Sequence, residues 1–133
     1  MIKSNAWQVG RVILLISTLL LSVSASQPQQ DRTRRVQFER GRTSTVIRDS
    51  VVRGTKDNYI VSARKGQTMT VHITSNEDNA VFDVYWYVED GTRLTTEDET
   101  VDWEGELPES GDYMIAVSGT RGNATYRLEI SIQ

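Results

Sequence analysis

The stretch TYRLEISI, residues 125–132, alternates without a break. Tyr126, Leu128, Ile130 and Ile132 fall on one side, and Thr125, Arg127, Glu129 and Ser131 on the other. A period of two is the spacing of a strand with one face buried and one in water. The pattern recurs along the chain. In QTMTVHIT, Met69, Val71 and Ile73 alternate with Thr68, Thr70, His72 and Thr74; in AVFDVYWYV, Phe82, Val84, Trp86 and Val88 oppose Val81, Asp83, Tyr85 and Tyr87. In DYMIAVS, Tyr113, Ile115 and Val117 oppose Met114, Ala116 and Ser118, while NYIVSA and TSTVIRDSVV are less regular but rich in β-branched residues. Gly, Asn and Asp clusters separate the runs: RGR at 40–42, RGTKDN at 53–58, RKGQ at 64–67, SNEDN at 75–79, EDGT at 89–92, PESGD at 108–112 and GTRGN at 119–123. No stretch sustains a 3.6-residue period. Short strands without helices to cover a parallel sheet predict an all-β fold, an antiparallel two-sheet β-sandwich of jelly-roll type with about eight strands.

The first residues read differently. MIKSNAWQVGR carries Lys3 and Arg11, an uninterrupted apolar run follows from Val12 to Leu21, and small residues stand at Ser24 and Ala25. These are the three parts of a secretory signal peptide, placed at 1–25. The apolar run is too short for a bilayer span, which needs about 20 residues. Residues 26–35, SQPQQDRTRR, are polar and aperiodic and read as a flexible leader. One β-sandwich domain is then expected over 36–133, in a mature chain of about 108 residues, periplasmic or secreted and without stable membrane insertion after cleavage. Cysteine is absent, so the domain is held by packing without disulfides, and thiol catalysis and thiolate metal sites are excluded.

Charge is uneven. Residues 31–56 hold eight bases and three acids, whereas 57–133 hold five bases and fifteen acids. Eight of those acids lie between Glu97 and Asp112 with no base among them. A net acidic surface argues against nucleic acid and anionic lipid, and favours a basic protein partner or plain solubility. The acidic run lacks the D-x-D-x-D-G spacing of a calcium loop.

His72 is the single histidine and falls on a polar strand face among threonines. With no G-x-S-x-G elbow, no catalytic residues are assigned and the chain is read as a non-enzyme without cofactor or metal. Trp86 belongs to an inward face, and Trp103 is expected to cover the end of the core. Tyr85 and Tyr87 point outward, as a binding patch for sugar or protein or as cross-strand packing. Arg121 stands in a turn between Gly119 and Gly122, either solvated at the tip of a hairpin or in contact with a partner. The NAT acceptor pattern at Asn123 is read as chance.

Three stretches, VQFERGRTSTVIRDSVV, DNYIVSARKGQTMTVHI and WEGELPESGDYMIAVSGTRGNATYRLEI, occur in that order across residues 36 to 130. Together they resemble the periplasmic inhibitors of g-type lysozyme and, more broadly, the bacterial pre-peptidase C-terminal domain. The resemblance implies a β-sandwich whose loop inserts into the cleft of the enzyme, where arginines meet catalytic carboxylates. Arg121 sits where the family loop carries its first arginine, and the second, four residues on, falls at Thr125. The partner-binding residues this implies are Arg121, Gly119, Gly122 and Asn123, with Ser110 and Tyr113 from LPESGDYMIAV. A g-type lysozyme is the implied partner; the broader domain implies binding of cell-envelope polysaccharide or partner proteins instead. The leader reading predicts that N-terminal sequencing of the exported protein starts at or within a few residues of Ser26.

Overall fold

The computed structural model describes residues 29–133; the segment 1–25, read above as a signal peptide, lies outside them. Eight strands follow one another: β1 Arg32–Arg35, β2 Ser44–Val51, β3 Lys56–Ala63, β4 Thr68–Ser75, β5 Ala80–Trp86, β6 Asp102–Glu106, β7 Gly111–Gly119 and β8 Ala124–Ile132. They form two four-stranded sheets, β1-β3-β7-β5 and β2-β8-β4-β6. Odd strands make one sheet and even strands the other, so every link between successive strands crosses the sandwich.

The alternating runs do what their period demands. Tyr126, Leu128, Ile130 and Ile132 of β8 face Tyr59, Val61, Phe82, Val84, Tyr113, Ile115 and Val117 of the other sheet across one buried core. Trp86 packs edge-on against Tyr113, with ring centroids 4.9 Å apart. The Tyr113 hydroxyl donates to the Glu109 carbonyl (2.6 Å) and accepts from the Glu109 amide (3.2 Å), which locks the turn entering β7. This is the tyrosine-corner device of sandwich folds.

Two elements depart from the sequence reading. Arg32–Arg35, assigned to a flexible leader, forms β1, which pairs in parallel with β3; all other pairings are antiparallel. All four of its residues are exposed, so it carries no apolar signal. It is held by charge. Directly across from Arg32 lies Asp57, which is 1% exposed. Arg32 grips that carboxylate with two parallel bonds, Nε to Oδ1 at 2.8 Å and Nη2 to Oδ2 at 2.7 Å. The second departure is β6, DWEGE, an edge strand on β4. Trp103 lies on it and packs against the flank of the core instead of covering its end, with its indole lying over Gly105.

The Asp57 site continues across the sandwich. The Tyr126 hydroxyl donates to Asp57 Oδ2 (2.7 Å) and accepts from the Tyr59 hydroxyl, which itself accepts from Arg34 (3.0 Å). Arg34 reaches Asp49 of β2 at 2.5 Å, and Arg32 reaches the Ser50 carbonyl at 2.7 Å. The bond to Asp57 raises the pKa of Arg32, and burial raises that of the Tyr126 phenol, so both keep their protons. Further along β1, Arg35 forks onto Asp112 at 3.0 and 2.7 Å.

The ionic seam yields two predictions. Arg32→Ala strands a buried carboxylate and costs about 3 kcal/mol, read as a lower urea midpoint. Acid acts on the same seam. Bonds from Arg35 and Ser62 hold the Asp112 carboxyl at about 2. Burial pushes Asp49 up, but bonds from Arg34, the Ser50 amide and Arg32 outweigh it and leave its pKa lowered. Both pKa values are lower folded than unfolded, so the stability they contribute is full above about pH 4 and lost as pH falls toward 2. Melting curves from pH 7 to 2 show that loss, and Arg35→Ala reduces it.

Candidate partner-binding site

The register places three turns at one end of the sandwich. Gly119 is opposite Ala80, and Ala124 is opposite Val51, so the turns 52–55, 76–79 and 120–123 lie together. The GTRGN turn joins β7 to β8, which belong to different sheets, so it is an arch over the end of the core and not a hairpin.

Asn79 holds that arch from beneath. It is 1% exposed, and its Nδ2 donates to the carbonyls of Arg121 and Asn123, both at 3.0 Å. Its own carbonyl accepts from the Thr120 amide at 2.9 Å. The amides of Asn79 and Ala80 are in turn taken by Ser75 Oγ at 2.9 and 3.1 Å. Sequence reading took Asn79 for a turn residue; its part in the arch depends on where β4 and β5 end relative to β7.

The arch glycines have different tasks. Gly122 has φ +67°, the left-handed region that glycine enters without strain. Gly119 is a matter of space, since a Cβ there would sit 2.6 Å from the Gly122 carbonyl oxygen. Asn123 ties the arch sideways, its Oδ1 accepting from the Arg53 amide at 2.8 Å.

Arg121 is exposed at the crest, with Nη2 donating to the Glu77 carbonyl at 2.7 Å. That bond orients the guanidinium without neutralising it, and Arg121 makes no ion pair among the described residues. Arg53 is a second cation here that sequence reading missed. Continuing the β2–β8 register past Val51 and Ala124 sets Arg53 across from Gly122. Its side chain is exposed and has no hydrogen bond or ion pair among the described residues. Thr125 lies on β8 beyond the arch, its hydroxyl paired with Ser50 at 2.9 Å.

The remaining candidates lie elsewhere. Ser110 and Tyr113 are at the opposite end of β7, about 30 Å and about 20 Å from the arch at strand rise. Ser110 Oγ accepts from the Lys65 amide at 2.8 Å and ties two turns together. Tyr113 is 0% exposed and offers no surface to a partner, which corrects its assignment to the binding set. LPESGDYMIAV is a folding motif at this position. Tyr85 is half-buried opposite Met114 on the outer face of the odd sheet, and Tyr87, 48% exposed, follows the end of β5. His72 bonds an Asp102 carboxylate oxygen on the outer face of the even sheet. Among the described residues no group of three or more His, Asp or Glu side chains could hold a metal ion.

The fold is an all-β sandwich with an arch at one end that is braced from within. Comparison with known proteins gives its relatives. The chain is 30% identical to the periplasmic inhibitor of g-type lysozyme PliG from Aeromonas hydrophila, with a TM-score of 0.70 over 79% of this chain and 100% of that one. PliG from Salmonella Typhimurium is 25% identical, with a TM-score of 0.61 over 77% and 98%. The pre-peptidase C-terminal domain of a Bacillus anthracis collagenase shares the fold, at 13% identity and a TM-score of 0.55 over 80% and 100%. No family model and no curated protein matches the chain. The chain belongs to the PliG family of periplasmic inhibitors of g-type lysozyme. It is a non-enzymatic protein.

The bracing yields a prediction. Asn79→Ala leaves two carbonyls without their donor and costs about 1–3 kcal/mol, measured by urea unfolding. Gly119→Ala forces the arch to shift, and amide chemical-shift changes are expected to cluster at residues 52–55, 76–79 and 119–124.

Proposed function

We propose that the chain is exported by its 1–25 signal peptide and that the mature domain inhibits a g-type lysozyme in the periplasm by placing the 120–123 arch in the enzyme's cleft. The observation that carries this reading is the braced arch itself, in a chain of the PliG family. A loop held by Asn79, Asn123 and the Gly119–Gly122 contact loses little conformational freedom on binding, so more of its contact energy appears as affinity. Arg121 is the central contact. A guanidinium fits a carboxylate with two parallel hydrogen bonds, and this pairing strengthens where the cleft excludes water.

Arg53 supplies a second positive charge beside it. Thr125, at the position of the family's second arginine, points along a strand face and bonds Ser50, so it does not extend the arch. Arg53 comes from a neighbouring turn and is fixed next to Gly122 through its own amide. The acids between Glu97 and Asp112 are spread over the β5–β6 link, β6 and the far end of the sandwich. There they assist the approach of a basic enzyme more than its final hold.

Inhibition of a purified g-type lysozyme on cell-wall substrate tests the reading. The wild-type protein is expected to inhibit, and Arg121→Ala to weaken inhibition by about 2 kcal/mol, the scale of a central arginine contact, without lowering the melting temperature. Arg53→Ala weakens it less, and the double variant loses it. If the wild-type protein in large excess leaves g-type, c-type and i-type lysozymes at full rate, the proposal fails.

A further inference from the structure

The outer face of the β2-β8-β4-β6 sheet carries a charge arrangement that the arch does not use. Arg48 of β2 and Arg127 of β8 are direct partners in the antiparallel register, both on the outward side. Like charges directly opposite one another across a strand pair destabilise a sheet. Arg127 has one nitrogen on the Glu129 carboxylate. Arg48 has neither a hydrogen bond nor an ion pair among the described residues. The cluster therefore keeps a net positive charge on a domain that is acidic as a whole.

The two arginines border a shallow depression of about 310 Å³ whose other walls include Thr74, Ser75, Asn76 and Thr125. Its lining is rich in donors. The Thr74 hydroxyl and the Asn76 side-chain amide have no hydrogen-bond partner among the described residues. No carboxylate lines it. Next along the same face lies a second depression of about 250 Å³, lined by Ser44, Thr70, His72, Ser131 and the Glu129 that pairs with Arg127, beside Val46, which is 41% exposed. A cationic pocket thus runs, past the Glu129 carboxylate already held by Arg127, into a strip of hydroxyls next to an exposed apolar side chain.

We infer that this face binds a phosphorylated saccharide, with the phosphate between Arg48 and Arg127 and the sugar lying along Val46, Thr70 and Ser131. A terminal phosphate offers three acceptor oxygens, enough for both guanidinium forks and the Thr74 hydroxyl together, whereas a carboxylate offers two. The sugar's hydroxyls meet the Ser and Thr strip, and its apolar ring face meets Val46. The oxyanion settles between two charges that otherwise repel, so binding also relieves a strain of the free sheet.

Calorimetric titration of the exported protein with glucose 6-phosphate, glucose, glucuronate and inorganic phosphate tests the site. Glucose 6-phosphate is expected to bind about tenfold or more tightly than inorganic phosphate or glucuronate, and glucose to give no signal. Arg48→Gln and Arg127→Gln each weaken glucose 6-phosphate binding by about tenfold or more, and Arg121→Ala leaves it unchanged. Arg48→Gln melts at the wild-type temperature or above it, which separates lost binding from lost folding. Absence of binding, undiminished wild-type affinity in both glutamine variants, or loss of binding in Arg121→Ala overturns the site. Equal affinity for inorganic phosphate or glucuronate overturns the phosphosaccharide assignment.

Discussion

A carboxylate with almost no exposure to water, Asp57, is the constraint around which one side of this sandwich is arranged. A buried charge without partners is strongly unfavourable, so its surroundings must supply a counter-charge and donors. Arg32 supplies the charge and Tyr126 a hydroxyl, from opposite sheets. Because Arg32 must reach Asp57, four polar residues with no apolar face are drawn into a strand. Because Arg34 then lies beside Asp49, the edge of the odd sheet is tied to the edge of the even one. The domain has no disulfide, and this ionic seam joins the two sheets at that edge.

The arch at the end of the sandwich follows the same logic on a smaller scale. A buried amide, Asn79, must place its donors, and the arch carbonyls must find partners. Each satisfies the other. The shape of the arch is thus set from inside the protein, which leaves its outward residue, Arg121, free of structural duty apart from one bond to the Glu77 carbonyl.

What could be read from the sequence follows from range. β8, β4, β5 and β7 announce themselves because burial of alternate side chains is written within each segment. β1 could not be read, since RTRR carries no apolar period and its partner is 25 residues away in the chain. Asp57 itself stands in a cluster that reads as a turn. β6 was hidden by its acids and by Gly105, which makes room for Trp103. At the site, glycines on either side mark Arg121 locally. Arg53 joins it through the β2–β8 register, and Asn79 through strand ends, neither of which any local pattern records. Tyr113 was misplaced for a related reason: a motif shared along a family marks whatever the family needs, and here it marks the entry to a core strand.

The strict alternation of strands between sheets has a consequence in time. No two neighbouring strands among the described residues are hydrogen-bonded partners, and local antiparallel pairing is confined to the short bridge of Tyr85 with Arg93. β8 is the extreme case, for it lies between β2 and β4 and is the piece that joins them. Until residues 124–132 are available, the even sheet has no centre, and the odd sheet has no opposing layer to cover its core face. Such a topology postpones collapse into a finished fold until the chain is nearly complete, the expected behaviour of a fold dominated by distant pairings. If the chain is exported as proposed, that delay is a property of the strand order itself.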